Sequence, residues 1–329
     1  VAGRVFGDLW GEMPAYRDFF AVQGLPIPAA DQTPAAYFAA LPAEALAETG
    51  ATRGELTLRF ERFVEALGRL ATAAPEVVSL SVLGGTDKRG RPETLRLDLR
   101  PGDVVALAGP TGSGKSRFLA DVEWLADGDT PTRRRVLLNG RPADAATRLA
   151  VSGRLVAQLS QNMHFVMDLA VGDFLLAHAE SRLIGDAPLA AAEVVELANS
   201  LAGEPFDAKT PLTALSGGQS RALMIADVAR LCAAPVVLVD EIENAGIDRR
   251  QAIALLTGSG KIVLMATHDP LLALLASRRL VFAAGAVAAV LETTPTERES
   301  LAVLTLLDAR LNEARDALRQ GREVAVSKE

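Results

Sequence analysis

The run Gly109-Pro110-Thr111-Gly112-Ser113-Gly114-Lys115-Ser116 fits G-x-x-x-x-G-K-[ST], a spacing that can hold phosphate. Gly109, Gly112 and Gly114 permit the positive φ values that turn backbone N–H groups inward around phosphate oxygens. Lys115 supplies a point charge for β- and γ-phosphates, and the Ser116 hydroxyl is a ligand for Mg²⁺. Asp103–Ala108 before the loop reads as a buried strand. Arg117–Leu125 after it reads as a helix, with Arg117 at the N-terminus that faces the anion.

Further along the chain lie two apolar runs, one ending in carboxylates and one in a histidine. Val236-Val-Leu-Val-Asp240-Glu241 is an apolar run ending in two acids. Such a run suits a strand buried on both faces, whose C-terminal end is where an open α/β sheet presents ligands. Neighbouring side chains on a strand point to opposite faces, so Asp240 and Glu241 cannot share one role. Lys261-Ile-Val-Leu-Met-Ala-Thr-His268-Asp269 is a second buried run, ending in a His. Leu215-Ser216-Gly217-Gly218-Gln219 reads on its own as a Gly-Gly turn capped by Ser216.

With Leu215–Gln219 in order behind the phosphate loop, the chain resembles the ATP-binding cassette (ABC) ATPase family over roughly Ser79 to Glu292. The resemblance implies ATP and Mg²⁺ as cofactors. It implies that Ser216, Gly217, Gly218 and Gln219 bind the γ-phosphate of ATP held by a second subunit. Asp240 would reach Mg²⁺ through water, Glu241 would polarise the attacking water, and His268 would contact the γ-phosphate. Gln161 would ligate Mg²⁺ and link the core to a helical subdomain, with Gln158 as a rival. Asp248 is the candidate D-loop aspartate, and Glu243 is a rival to Glu241. Phosphoryl transfer of this kind rests on positioning and charge.

The chain departs from the family pattern in four places. No aromatic residue stands in Ser79–Gly90 to stack on adenine, so modest discrimination between ATP and GTP is expected unless Trp10, Tyr37 or Phe38 of the N-terminal region folds over the base. After Asp240-Glu241 the chain reads Ile-Glu-Asn-Ala-Gly-Ile-Asp248, one residue longer than usual. Ala222 and Asp227 occupy positions usually held by Arg. About 75 residues precede the cassette, and Lys115 to Asp240 leaves no room for the long coiled coil of chromosome-condensation ATPases.

The elements that must carry these residues follow from pattern. Thr52-Arg-Gly-Glu55 is a capping box leading into the stripe Leu56, Phe60, Phe63, Leu67 and Leu70; it packs on neighbouring helices or the cassette, or forms a docking module. Thr294-Pro-Thr-Glu297 is a second box, leading into Leu304, Leu307, Leu311, Ala314 and Leu318. Two heptads are too few for an independent coiled coil, so packing against the cassette is expected over self-pairing. Arg133-Arg-Arg135 is expected in a solvated turn. The net charge of −7 disfavours nucleic-acid backbone binding. A single Cys232 excludes an internal disulfide. The start, Val1–Asp8, holds no apolar leader core. Leu280–Leu291, the longest apolar candidate, is interrupted by Gly285 and is too short to span a bilayer.

The expected fold is α/β, an ABC-type P-loop NTPase. Residues 1–75 form a helical extension, 76–292 the ATPase domain with its helical subdomain at about 160–228, and 293–329 a C-terminal helix and tail. The sheet is mainly parallel, with an antiparallel β portion near 79–105. The expected function is ATP hydrolysis by a head-to-tail dimer with a second copy or a homologous ABC subunit. Its partner would be a membrane permease that it energises or, alternatively, a soluble protein such as a metalloenzyme that it remodels. The place implied is the cytoplasm or the inner face of a membrane.

Overall fold

A computed structural model describes residues 3–71, 76–144, 148, 155–160, 165–240 and 247–324. The chain divides into two compact units, Val1–Ala73 with Leu176–Ala191, and Ala74–Leu175 with Ala192–Glu329.

The first unit is built on aromatic side chains. Its N-terminal part holds α1 (Phe6–Glu12), α2 (Asp18–Val22), α3 (Pro34–Ala40), α4 (Ala43–Thr49) and α5 (Arg53–Ala71). The start of α5 is a reciprocal box: Thr52 N–H donates to Glu55 Oε2 at 2.8 Å, and Glu55 N–H donates to Thr52 Oγ1 at 3.3 Å. Leu56 and Phe60 are fully buried, and Phe63 and Leu67 pack against the same cluster. Phe6 meets Trp10, Phe20, Tyr37 and Phe60 with ring centroids 5.5, 5.4, 5.9 and 5.8 Å apart. The stripe therefore packs on neighbouring helices. Trp10, Tyr37 and Phe38, the rings named as the exception that could cover a base, are core residues of this unit. Burying large rings here outweighs leaving them exposed, and Tyr37 also spends its hydroxyl on Pro26 O at 2.6 Å.

The second unit carries two sheets. The larger has strand order β10-β9-β3-β8-β7-β6, with β3 (Val104–Ala108), β6 (Val156–Leu159), β7 (Val236–Asp240), β8 (Ile262–Ala266) and β9 (Arg278–Ala283) all parallel. β10 (Ala286–Glu292) returns antiparallel on β9. The apolar stretch Leu280–Leu291 is this hairpin, turned by Ala284 and Gly285 at φ +52° and +91°. The smaller sheet, β2-β1-β4-β5, is antiparallel throughout: β1 (Leu80–Leu83), β2 (Arg96–Leu99), β4 (Arg135–Leu138) and β5 (Arg141–Pro142). The antiparallel portion thus extends to 142, and 104–108 belongs to the parallel sheet. The burial patterns give the reason. β2 alternates exposed and buried, as a one-faced strand does, whereas β3 is buried along its centre, as an inner strand of a covered sheet is.

Helix α6 (Lys115–Glu123) follows β3, and its Phe118, Leu119 and Val122 enter one core with Val105, Leu107, Val136, Leu238, Leu264 and Phe282. Between β6 and β7 the chain runs through α7 (Val171–Ser181), α8 (Ala187–Leu201) and α9 (Gly217–Arg230). Then come α10 (Arg249–Gly258), α11 (Pro270–Leu275) and α12 (Pro295–Arg319). Polar ties hold α12: Arg279 Nη2 to Glu297 Oε1 at 2.5 Å, and Arg249 Nη2 to both Asp308 oxygens at 2.8 Å. The expected packing of its leucine seam does not occur. Leu307, Leu311 and Leu318 are 50%, 56% and 68% exposed, because the face carrying Glu297, Leu304, Thr305 and Asp308 is the one turned inward.

Candidate nucleotide-binding site

Strand pairing brings the chemistry to one edge. β8 lies between β3 and β7, with Ala266 in register with Leu107 on one side and Asp240 on the other. The phosphate loop after β3, Asp240 at the end of β7 and His268 after β8 therefore emerge together at the C-terminal ends of adjacent parallel strands. The loop glycines adopt φ +147°, +76° and +117° at Gly109, Gly112 and Gly114. Gly114 caps α6, so the loop runs directly into that helix. Lys115 is 6% exposed. Its Nζ lies 2.7 Å from Gly109 O and 3.5 Å from His268 Nε2, joining residues 153 positions apart. Thr111, Gly112, Gly114, Lys115, Ser116, Arg117, Ala120 and Lys88 line a cavity of about 420 Å³.

The back of the loop is braced by the β9–β10 turn. Gly285 N–H donates to Ser113 O at 2.8 Å. A Cβ on Gly114 would stand 2.9 Å from Gly285 Cα, and one on Gly109 would stand 2.7 Å from Phe282 O. Behind the turn is a fully buried ion cluster. Arg134 donates to Glu93 through Nε (2.7 Å) and Nη2 (2.9 Å), to Asp121 Oδ2 through Nη1 (3.1 Å), and to Gly285 O (3.0 Å). Glu93 Oε1 accepts Val287 N–H at 2.5 Å, and Thr132 Oγ1 donates to Asp121 Oδ2 at 2.7 Å. Burial works against the Arg134 charge, but its bonds to Glu93 and Asp121 outweigh it and raise the pKa. Of the expected solvated Arg133–Arg135 run, the middle residue is thus 0% exposed. Exposure alternates along residues 131–136 leading into β4, so Arg134 turns in while Arg135 pairs with Asp127 outside.

The residues present fit an oxyanion ligand. The Ser113 hydroxyl is buried in the loop with no hydrogen-bond partner among the described residues, an orphan that a phosphate oxygen would satisfy. Lys115 and Arg117 supply positive charge at the cavity. Thr111 lines the cavity, and Pro110 O accepts Ser113 N–H at 3.1 Å within the loop.

Ser216 caps α9 in a full box: Ser216 N–H donates to Gln219 Oε1 at 2.9 Å and Gln219 N–H to Ser216 Oγ at 3.3 Å. Ser216 and Gly217 are exposed, and the first-turn N–H groups of a helix have no intrahelical acceptor. Among the described residues no hydrogen bond or ion pair joins Ser216–Gln219 to the phosphate loop. Asp248 caps α10 by accepting Gln251 N–H at 3.0 Å, and its own N–H donates to Leu201 O at 3.0 Å. Gln161, Glu241 and Glu243 lie outside the described residues, as does His164; Gln158 is an exposed residue of β6. Sequence reasoning missed Lys88 at the cavity. The signal was present: a Lys in the very stretch noted for lacking an aromatic.

The family model for ABC transporters matches residues 93–244. An uncharacterized ABC transporter ATP-binding protein of Methanocaldococcus jannaschii is 47% identical over 247 residues, 75% of this chain and 94% of that protein. The hemin import ATP-binding protein of Pseudomonas entomophila is 34% identical over 58% of this chain and 77% of its own length. Among solved structures, cbiO1 of Clostridium perfringens, part of an ABC transporter complex, shares the fold at TM-score 0.54 and 20% identity, over 74% of this chain and all of that one. A bacterial ABC transporter cassette solved as a dimer matches at TM-score 0.50 and 22% identity, over 65% of this chain and 99% of that one. No helix among the described residues is long and apolar enough to cross a membrane. With the phosphate loop, the strand-end acid and histidine, and a relative matched almost end to end, the chain belongs to the ABC transporter family as one of its nucleotide-binding ATPases.

Proposed function

We propose that this chain is the energising subunit of a membrane transporter and hydrolyses Mg·ATP as a head-to-tail dimer. The observation that carries the dimer is the separation within one chain. Lys115, Asp240 and His268 gather at one sheet edge, while the exposed α9 start at Ser216 makes no bond to that edge among the described residues. A second copy or a related subunit, turned head to tail, would bring its Ser216 to the nucleotide of the first. The bacterial cassette solved as a dimer supports a two-subunit unit. The hemin import relative supports a transport role over a soluble remodelling role.

In this reading the loop from Gly109 to Arg117 wraps the phosphates, with Lys115 on the β- and γ-groups. Ser116, Gln161 and Asp240 would hold Mg²⁺, which would supply charge neutralisation during transfer. Glu241 orients the attacking water, and His268 holds the γ-phosphate side of the site. Asp248 lies toward the partner subunit.

Titration of wild type and Lys115→Ala with Mg·ATP tests the site: the variant should lose binding. Ser216→Arg tests the dimer. It should still bind ATP as a monomer but fail to hydrolyse it, and full hydrolysis by this variant would refute the head-to-tail arrangement. Affinity purification from detergent-solubilised membranes should recover an integral membrane protein. Recovery of a soluble enzyme instead would overturn the transporter reading.

A further inference from the structure

The phosphate-loop pattern accounts for one lysine at the cavity, yet a second reaches it from another sheet. Lys88 Nζ lies 2.7 Å from Gly112 O, inside the loop's own turn. Its backbone is fixed from two directions. Lys88 N–H donates to Ala284 O at 3.0 Å. The preceding Asp87 ties the turn by accepting Arg89 N–H at 2.8 Å, Arg91 N–H at 2.9 Å and Arg91 Nε at 2.8 Å. Those bonds, led by the Arg91 N–H, hold the Asp87 carboxyl below its usual range, and Asp87 is committed to Arg91. Lys88 makes no ion pair among the described residues. The path of its stem is cleared by Gly285, where a Cβ would stand 2.7 Å from Lys88 Cγ.

The lining of the cavity decides what such a cation is for. Lys88, Lys115 and Arg117 are its long side chains; Thr111, Gly112, Gly114, Ser116 and Ala120 are the rest. Among these residues there is no aromatic face to stack on a base and no carboxylate or amide side chain to read its edge. The aromatic rings Trp10, Tyr37 and Phe38 are committed to the core of the other unit. What the cavity does offer is three cations around a loop whose three glycines hold positive φ. That matches an oligophosphate anion and is indifferent to the base attached to it.

We propose that Lys88 is a second phosphate-binding cation of this site, and that the cassette selects nucleoside triphosphates by phosphate charge with little regard to the base. This deepens the nucleotide-site reading above and rests on it.

The test uses the full chain, with ATP, GTP and inorganic tripolyphosphate as competitors for a fluorescent ATP analogue. Wild type should bind ATP and GTP within about tenfold of each other, the range left when base stacking is absent. Lys88→Met should weaken all three ligands by a common factor of about ten or more, the size of a lost charged hydrogen bond. Lys88→Arg should restore most of it, and melting without nucleotide should be unchanged in both variants. Wild-type affinity in Lys88→Met refutes the proposal. So does a loss confined to ATP, which would make Lys88 a base reader, or a lowered melting temperature at unchanged affinity, which would make it a packing residue. Lys115→Ala separates the two readings. If it also binds normally, the nucleotide site itself is wrong; if it alone loses binding, only the role of Lys88 fails.

Discussion

Replacing Arg134 by Met should cost more stability than almost any other single change in the cassette. The guanidinium is 0% exposed and donates four hydrogen bonds, two to Glu93, one to Asp121 and one to Gly285 O. Met fills much of the volume but none of the charge. Glu93, whose side chain is also 0% exposed, would keep only the N–H groups of Val287 (2.5 Å) and Gly85 (3.3 Å). Asp121 would keep Thr132 (2.7 Å). Breaking a buried pair by removing one partner costs about 3–5 kcal/mol. That is a large share of the roughly 5–15 kcal/mol that holds a domain together. With a urea slope near 3 kcal/mol/M, the midpoint should fall by about 1–2 M. Trp124, at the end of α6 beside Asp121, reports the transition in a Trp10→Phe background, where it is the remaining Trp. Arg134→Lys should fall between the two, since an ammonium cannot bond both carboxylates as the fork does. A loss below about 1 kcal/mol for Arg134→Met would show that the cluster relaxes to water and would refute the reasoning.

Glu241→Gln should bind ATP but turn it over very slowly and accumulate as an ATP-bound dimer on size exclusion; near-normal turnover would move the role to Glu243. Gly285→Ala places a Cβ 2.7 Å from Lys88 Cγ at φ +91°; strain of about 1–3 kcal/mol is expected, with weaker nucleotide binding, read by melting and titration on the same sample. Glu297 is held below the ordinary Glu pKa, first by the Thr294 N–H and then by Arg279. A depressed folded-state value means its contribution is present above the unfolded pKa and lost as pH falls through the folded one. The stability gap between wild type and Glu297→Gln, from urea melts at a series of pH values, should therefore close on acidification, and a gap independent of pH would count against the Arg279–Glu297 tie.

What was legible in the chain was what is written locally. The phosphate loop, the runs ending at Asp240 and His268, the Ser216 cap and both Thr–Glu boxes each declare themselves within a few residues, because glycine geometry, strand burial and capping act over that distance. What was not legible depends on who meets whom. Arg134 reads as one of three surface arginines until the alternation leading into β4 turns it toward Glu93, 41 positions away, and Gly285, 151 away. Lys88 reads as a loop residue until the fold sets it against Gly112. The seam of α12 has the spacing to pack, but Arg249 and Arg279 choose a different face through Asp308 and Glu297. The stacking candidates Trp10, Tyr37 and Phe38 were spent on a core that the pattern of α5 alone did not show to be so rich in rings.

The Ala284–Gly285 turn carries a consequence for anyone who would cut or tag this protein. The tip of a two-stranded hairpin is ordinarily where an engineer inserts an epitope or opens new termini, since little depends on it. Here the tip donates to Ser113, accepts from Arg134 and Lys88, and lies against Gly114. A chain opened at that point would lose the rear wall of its phosphate loop. The workable joints lie elsewhere, and the exposed end of α12 beyond Leu318 is one of them.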